Sequence, residues 1–260
     1  MIVDSHCHLN RLELAEFDQG LDNALAYARA QGVKHFLTVA VDLDDVDCLA
    51  AIAEKHPDVS YSVGWHPCEV NNKDIYAFLV EKASAKSCVA IGETGLDYYR
   101  LEQESDKHIQ QQLFSQHIAA ATLLKKPLII HTRQSIQDTL DQLKSEHDPD
   151  VAGVMHCFTE DWAAAKKALD LNFYISLSGI VTFKNATLVH EVAMNVPLER
   201  LLIETDSPYL APHPFRGKSN HPGWVKLVAE QIANLRGITY EEVAEATTRN
   251  FYHLFQIHQG

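Results

Sequence analysis

Seven side chains able to bind a metal or assist hydrolysis each stand at the end of a short apolar run. They are His6 and His8 in VDSHCHL, His66 in VGWHP, Glu93 in AIGETGLDYY, His131 in LIIHTR, His156 in VMHCFT and Asp206 in LLIETDSPYL. A strand that ends on such a group after apolar residues lifts it to the rim of a core. Several strands doing so in turn make a ring of ligands around one pocket. Imidazole mixed with carboxylate suits Zn, Mn, Fe or Ni, and carboxylate-rich sets lean towards Mg or Mn. The chemistry implied is metal-dependent hydrolysis, with phosphodiesters as the expected substrate.

His6 and His8 alone would serve as readily for a structural or surface pair. Joined by His131, His156 and Asp206 they become a metal set. Glu93 has the position of a carboxylate bridging two ions, with a loop or helix-start carboxylate as the alternative. Two ions about 3.5–4 Å apart stabilise both the attacking and leaving oxygens of an in-line displacement. Asp206 is read as ligand, general base or both, and Glu204, of the same parity, as a group orienting a ligand or a pocket cation. The expected catalytic residues are thus Asp206 and Glu93, with metal-bound hydroxide as nucleophile.

His66 is expected to contact substrate, because the other six residues already fill the coordination sphere; a packed neutral histidine is the alternative. Arg133 and the Arg216, Lys218 and Asn220 cluster in HPFRGKSNHP are candidate phosphate contacts, against a reading as merely solvated loop groups. Tyr98, Tyr99, Phe158, Phe183 and Tyr209 follow strand ends, where they could stack on an unpaired base or simply form pocket wall. The other histidines, among them His117, His221 and His258, are read as structural or solvent-exposed.

Short aliphatic runs alternating with longer amphipathic stretches position these groups, and they predict a (β/α)8 barrel. Strands are expected near 2–6, 34–40, 59–65, 88–92, 127–130, 152–156, 172–177 and 200–204. Helices are expected over about 11–31, 43–55, 73–85, 103–125, 134–146, 160–169, 184–195, 222–235 and 239–256. A period of two puts His6 and His8 on one side and Cys7 on the other, and groups Val89 and Ile91 with Glu93, Ile129 with His131, and Leu202 and Glu204 with Asp206. It also groups Val154 with His156, leaving Met155 and Cys157 facing the helices. An open doubly wound sheet is less suited, since its single crevice would not gather ligands from so many strands.

The 260 residues fit one domain, 1–260, close to the ~250 of a typical barrel. No linker or repeat stands out. The five cysteines are odd in number and form no CxxC, so neither a disulfide framework nor a zinc ribbon is indicated. Met1 leads directly into strand-like sequence, and no apolar run approaches the ~18 residues of a membrane span. A cytoplasmic protein that does not enter membranes is expected, with a monomer favoured. The net charge of −13 excludes a protein that coats duplex DNA through phosphate neutralisation. It allows a small footprint on a nucleic-acid end received by bound ions and a few local cations.

Taken in order, DSHCHL, GWHP, AIGETGLDYY, HTR, HCF and LLIETDSPYLAP resemble the TatD family of metal-dependent deoxyribonucleases, most closely its YcfH-like branch, from Val3 to about Phe255. The resemblance implies an amidohydrolase-like TIM barrel with two divalent ions (Mg, Mn or Zn). It implies His6, His8, Glu93 and Asp206 at one ion and Glu93, His131 and His156 at the other, with His66 on a phosphate. It further implies 3′–5′ exonuclease action on ends of single-stranded DNA. Some relatives cleave other esters, including D-aminoacyl-tRNA, so an amidase, esterase or lactonase is the alternative. The TatD type proper lacks the first-strand HxH, which is intact here. Glu93 stands where many wider amidohydrolases carry a carboxylated lysine. His221 stands where Glu or Gln is usual.

Overall fold

Eight parallel strands hydrogen-bond in chain order: β1 (Ile2–Cys7), β2 (Val33–Thr38), β3 (Val59–Val63), β4 (Cys88–Asp97), β5 (Leu128–Arg133), β6 (Gly153–Met155), β7 (Phe173–Leu177) and β8 (Leu201–Ile203). The computed structural model describes residues 1–69, 73–101 and 103–257; His258 lies outside them. Between and after the strands run α1 (Leu21–Ala30), α2 (Asp45–Lys55), α3 (Tyr76–Ala83), α4 (Ser105–Leu124), α5 (Ile136–Glu146), α6 (Trp162–Asp170), α7 (Thr187–Asn195), α8 (Val225–Arg236) and α9 (Tyr240–Leu254). This is the expected TIM barrel.

The barrel interior is apolar: Val3, Leu37, Val39, Ala90, Ile129, Val154 and Leu202 pack together with Tyr174. Phe251, Leu254 and Phe255 at the end of α9 join this cluster and plug one end of the barrel. Each such side chain contributes roughly 1.5–3 kcal/mol when fully buried. A capping box at Thr239 and Glu242 fixes the first turn of α9, the helix whose far end carries the plug.

The seam between β8 and β1 is drawn together just beyond the strands. The Asp206 N–H donates to His6 O at 2.9 Å and the His8 N–H to Ser207 O at 2.8 Å. Buried Asp4 accepts from the Thr205 N–H at 2.9 Å, and Ser5 Oγ donates to Ile203 O. The contacts that close the barrel therefore bring three candidate ligands to one place.

Three expectations need correction. The helix expected over 11–31 is two short 3₁₀ turns, Leu9–Arg11 and Ala15–Phe17, followed by α1. Asp18 and Gln19 take positive φ and Gly20 is extended, which breaks the helical path. In β4 it is Ala90 that faces the interior, while Ile91 packs outward with the helices. The β4–β5 register shifts between Ile91 and Thr94, so parity slips by one before Glu93. Met155 faces outward as expected, but Cys157 takes φ +42 and meets Ser178 Oγ at 3.1 Å instead of facing the helices.

Candidate metal centre

The seven residues picked out at strand ends converge at the C-terminal mouth of the barrel. Glu93 lies at the middle. Its Oε1 is 2.8 Å from His156 Nε2, 3.1 Å from His131 Nδ1 and 3.2 Å from His66 Nε2. Its Oε2 faces the other way, 3.4 Å from His6 Nε2 and 3.9 Å from His8 Nε2. Asp206 Oδ1 closes that second side at 3.3 Å from His8 Nε2 and 3.6 Å from His6 Nε2.

The backbone fixes each of these groups. The Glu93 N–H donates to Ala40 O, His156 N–H to Ile130 O and His66 N–H to Val41 O. Two glycines let β4 approach β5 closely enough. A Cβ at Gly92 would lie 2.6 Å from Ile129 O and one at Gly95 2.1 Å from His131 O, and both glycines have positive φ. The G-E-T-G sequence around Glu93 is thus a steric requirement of the centre.

Far-side hydrogen bonds orient the imidazoles. His8 Nδ1–H donates to Val39 O at 3.0 Å, His156 Nδ1–H to Glu204 Oε1 at 3.2 Å and His131 Nε2–H to Asp97 Oδ2 at 3.0 Å. Each neutral ring then turns an unprotonated nitrogen inward, which is how metal-binding histidines are held. Among the described residues His6 has no such partner at Nδ1, but its ring stacks on His156 with centroids 4.0 Å apart.

His66 is built differently. Its Nδ1 accepts the Cys68 N–H at 3.1 Å, so the neutral ring carries its proton on Nε2, facing Glu93. That makes it a donor into the site, although its position beside Glu93 and His131 is within ligand range. Its loop is secured by His117, whose Nε2 accepts the Trp65 N–H at 2.9 Å while Nδ1–H donates to Leu113 O.

The donor set fits divalent cations. Inward nitrogens of His6 and His8 stand 3.3 Å apart, and those of His131 and His156 3.4 Å. Lone pairs so close require a proton or a cation between them. Four carboxylates, Glu93, Asp97, Glu204 and Asp206, accompany these rings, and two divalent cations would balance their charge. Burial opposes ionisation of Glu93, yet His156 and His66, with a hydrogen bond from His131, hold it well below the usual carboxylate range. The same cluster works in reverse on His156: burial disfavours its charge, but Glu93 and Glu204 raise its pKa well above the usual value. The centre attracts positive charge. It is open along one edge, where the side chains of His131, Asp206 and His66 are 19%, 13% and 13% exposed.

The loop residues divide. Arg133, Arg216 and Lys218 are exposed at the mouth, Arg133 stacked over Tyr99 and Arg216 over Phe183. Asn220 is not a free phosphate contact: it is buried, and its amide donates to Thr205 O and Tyr209 O. His221 packs among Phe17, Tyr27 and Trp224. Asp97 was missed because β4 runs five residues past its expected end. Its signal was there, since Glu93, Gly95 and Asp97 share one parity.

The profile of the family described as TatD related DNase matches residues 3–256. The chain is 46% identical over 256 residues to the uncharacterized metal-dependent hydrolase YcfH of Escherichia coli K12, covering 98% of this chain and 96% of YcfH. It is 41% identical to the uncharacterized metal-dependent hydrolase YabD of Bacillus subtilis over 260 residues, 99% of this chain and all of YabD. The crystal structure of YJJV, a TatD homolog from Escherichia coli, superposes with a TM-score of 0.88 at 25% identity, covering 99% and 98% of the two chains. A barrel whose strand ends gather imidazoles and carboxylates, matched over its whole length, belongs to the TatD family of metal-dependent hydrolases.

Proposed function

We propose that the centre holds two divalent ions and hydrolyses the phosphodiester bonds of DNA, removing nucleotides from the 3′ end of single strands. The observation that carries this reading is the division of Glu93: Oε1 faces His131 and His156, and Oε2 faces His6 and His8. One carboxylate so turned can bridge two cations, with Asp206 completing the His6 and His8 side. When bound, Mg, Mn or Zn ions there would acidify a water and draw charge from the attacking and leaving oxygens.

The chain supplies the remaining steps. Asp206, at the open edge, accepts the proton of the attacking water. Burial opposes its charge, but a hydrogen bond with His8 and the nearby His6 keep its pKa below the usual carboxylate value, so it is available as a base. His66 lies at the same edge, and its Nε2–H, 3.2 Å from Glu93 Oε1, would donate to a non-bridging phosphate oxygen once cations occupy Glu93. Glu204 and Asp97 hold His156 and His131 in register throughout. Arg133, Arg216 and Lys218 receive neighbouring phosphates. With a net charge of −13, these few cations and the bound ions would carry the contact. The family description supports DNA as substrate. All five thiols are unpaired, which supports action in a reducing cytoplasm. Every candidate ligand comes from one chain, so a monomer suffices.

The test is degradation of 5′-labelled single-stranded DNA by metal-stripped protein with Mg, Mn or Zn returned. A ladder shortening from the 3′ end is expected, dependent on metal. Asp206→Asn should lower the rate by about 10²–10⁴-fold, the usual worth of a positioned acid or base. An intact oligonucleotide with every metal would overturn the nuclease reading in favour of another ester or amide.

A further inference from the structure

Five aromatic residues follow strand ends on the ligand-bearing rim, and the structure separates them. Phe158 is 1% exposed, inside the layer between sheet and helices. Tyr98 is partly buried against that layer, its hydroxyl donating to Asp138 Oδ2 and accepting from Gln111 Nε2. Phe183 is half-buried beneath Arg216. Tyr209 is 49% exposed and turns towards the edge of His8. Tyr99 is the most open at 56%, and the Arg133 guanidinium carbon lies 3.7 Å from its ring centroid.

The Tyr99–Arg133 stack is fixed relative to the centre. The Tyr99 N–H donates to Asp97 Oδ1 at 3.0 Å, and Asp97 Oδ2 accepts from His131 Nε2. Arg133 follows His131 by two residues on β5, is the register partner of Asp97 and accepts the Tyr98 N–H at its carbonyl. Both halves of the stack are therefore tied to the carboxylate that orients a candidate ligand. Among the described residues Arg133 forms no ion pair, whereas Arg11 and Arg29 are each held by carboxylates. An exposed aromatic ring bearing a guanidinium that no described carboxylate pairs presents a flat, positively charged surface.

We propose that the Tyr99–Arg133 stack is a nucleobase-stacking site for a nucleotide adjoining the scissile phosphate. The inference rests on the phosphodiesterase reading and deepens it. Every base has a π-face, so such a site accepts any sequence. A base inside a duplex has both faces covered by its neighbours, so the site favours unpaired strands. The guanidinium adds attraction to the adjoining phosphate without requiring the basic surface this chain lacks.

The experiment compares kcat/KM for a single-stranded oligonucleotide with that for the same strand carrying abasic tetrahydrofuran units at its 3′ end, using metal-loaded protein. Wild type should prefer the base-bearing strand by about tenfold or more, the range expected of one stacked base. Tyr99→Leu, which keeps apolar bulk, should bring that ratio towards one, chiefly through KM; Tyr99→Phe should restore it. A wild-type ratio near one, or a ratio that Tyr99→Leu leaves unchanged, would overturn the inference while the nuclease reading stands. Wild type that cleaves neither strand would overturn both, and that result is recognisable without any variant.

Discussion

At Glu93 two oxygens serve two groups of histidines, and the same economy recurs at Asp97. Its Oδ2 accepts from His131, while its Oδ1 accepts from the Tyr99 and Arg100 N–H groups. Burial opposes charge on Asp97, yet the hydrogen bond and charge of His131, with hydrogen bonds from Cys68 and the Arg100 N–H, together outweigh it and lower its pKa to about 2. Asp97→Asn keeps the shape and removes the charge behind His131. It should weaken binding of one ion by about 10–100-fold, as loss of such a partner usually does, with the other ion little affected. Metal titration by calorimetry checks this, and equal affinity for both ions in variant and wild type would contradict it. The candidate ligands were legible in the sequence because each ends an apolar run. Asp97 shares the parity of Glu93 and was lost only because β4 outruns its expected end, whereas the role of His117 was not legible, because its partner Trp65 comes from another element and no spacing along the chain encodes that contact.

Among the elements, β4 carries the most constraint and gave the least faithful sequence signal. A period of two assigns Ile91 to the face of Glu93, but the irregularity near Gly92 turns Ala90 inward and keeps Glu93 aimed at the centre. Strict alternation cannot anticipate a register shift. The regular strands β5 and β6 followed it, with Ile129 and Val154 in the interior below His131 and His156. Gly95→Ala tests the close approach of β4 to β5. At φ +128 the new Cβ would be strained and would press on His131 O, so a loss of about 3 kcal/mol or more and weaker ion binding are expected. Gly217→Ala has positive φ but open space around its Cβ, so strain alone should cost about 1 kcal/mol. Equal thermal stability of the two variants would contradict the steric account of the G-E-T-G sequence.

Over the whole molecule, the barrel was legible from eight apolar runs spaced by amphipathic stretches, whereas its plug and seam depend on contacts between chain ends. Buried His117 links stability to pH. Burial lowers its pKa to about 4 in the folded chain, against 6.5 for the free side chain. The unfolded chain takes up a proton between pH 6.5 and 4 that the folded chain refuses, so stability present above pH 6.5 is lost through that window. The loss should reach on the order of 3 kcal/mol near pH 4. In metal-free protein, the urea midpoint should fall more steeply from pH 7 to 5 than it does in His117→Gln; parallel slopes would contradict this assignment. The central claim concerns the ions, and anomalous X-ray scattering from crystals grown with Mn tests it most directly. Two peaks about 3.5–4 Å apart are predicted, one on each side of Glu93, with His6, His8 and Asp206 at one and His131 and His156 at the other. A single peak, or a peak bound by His66, would contradict the account.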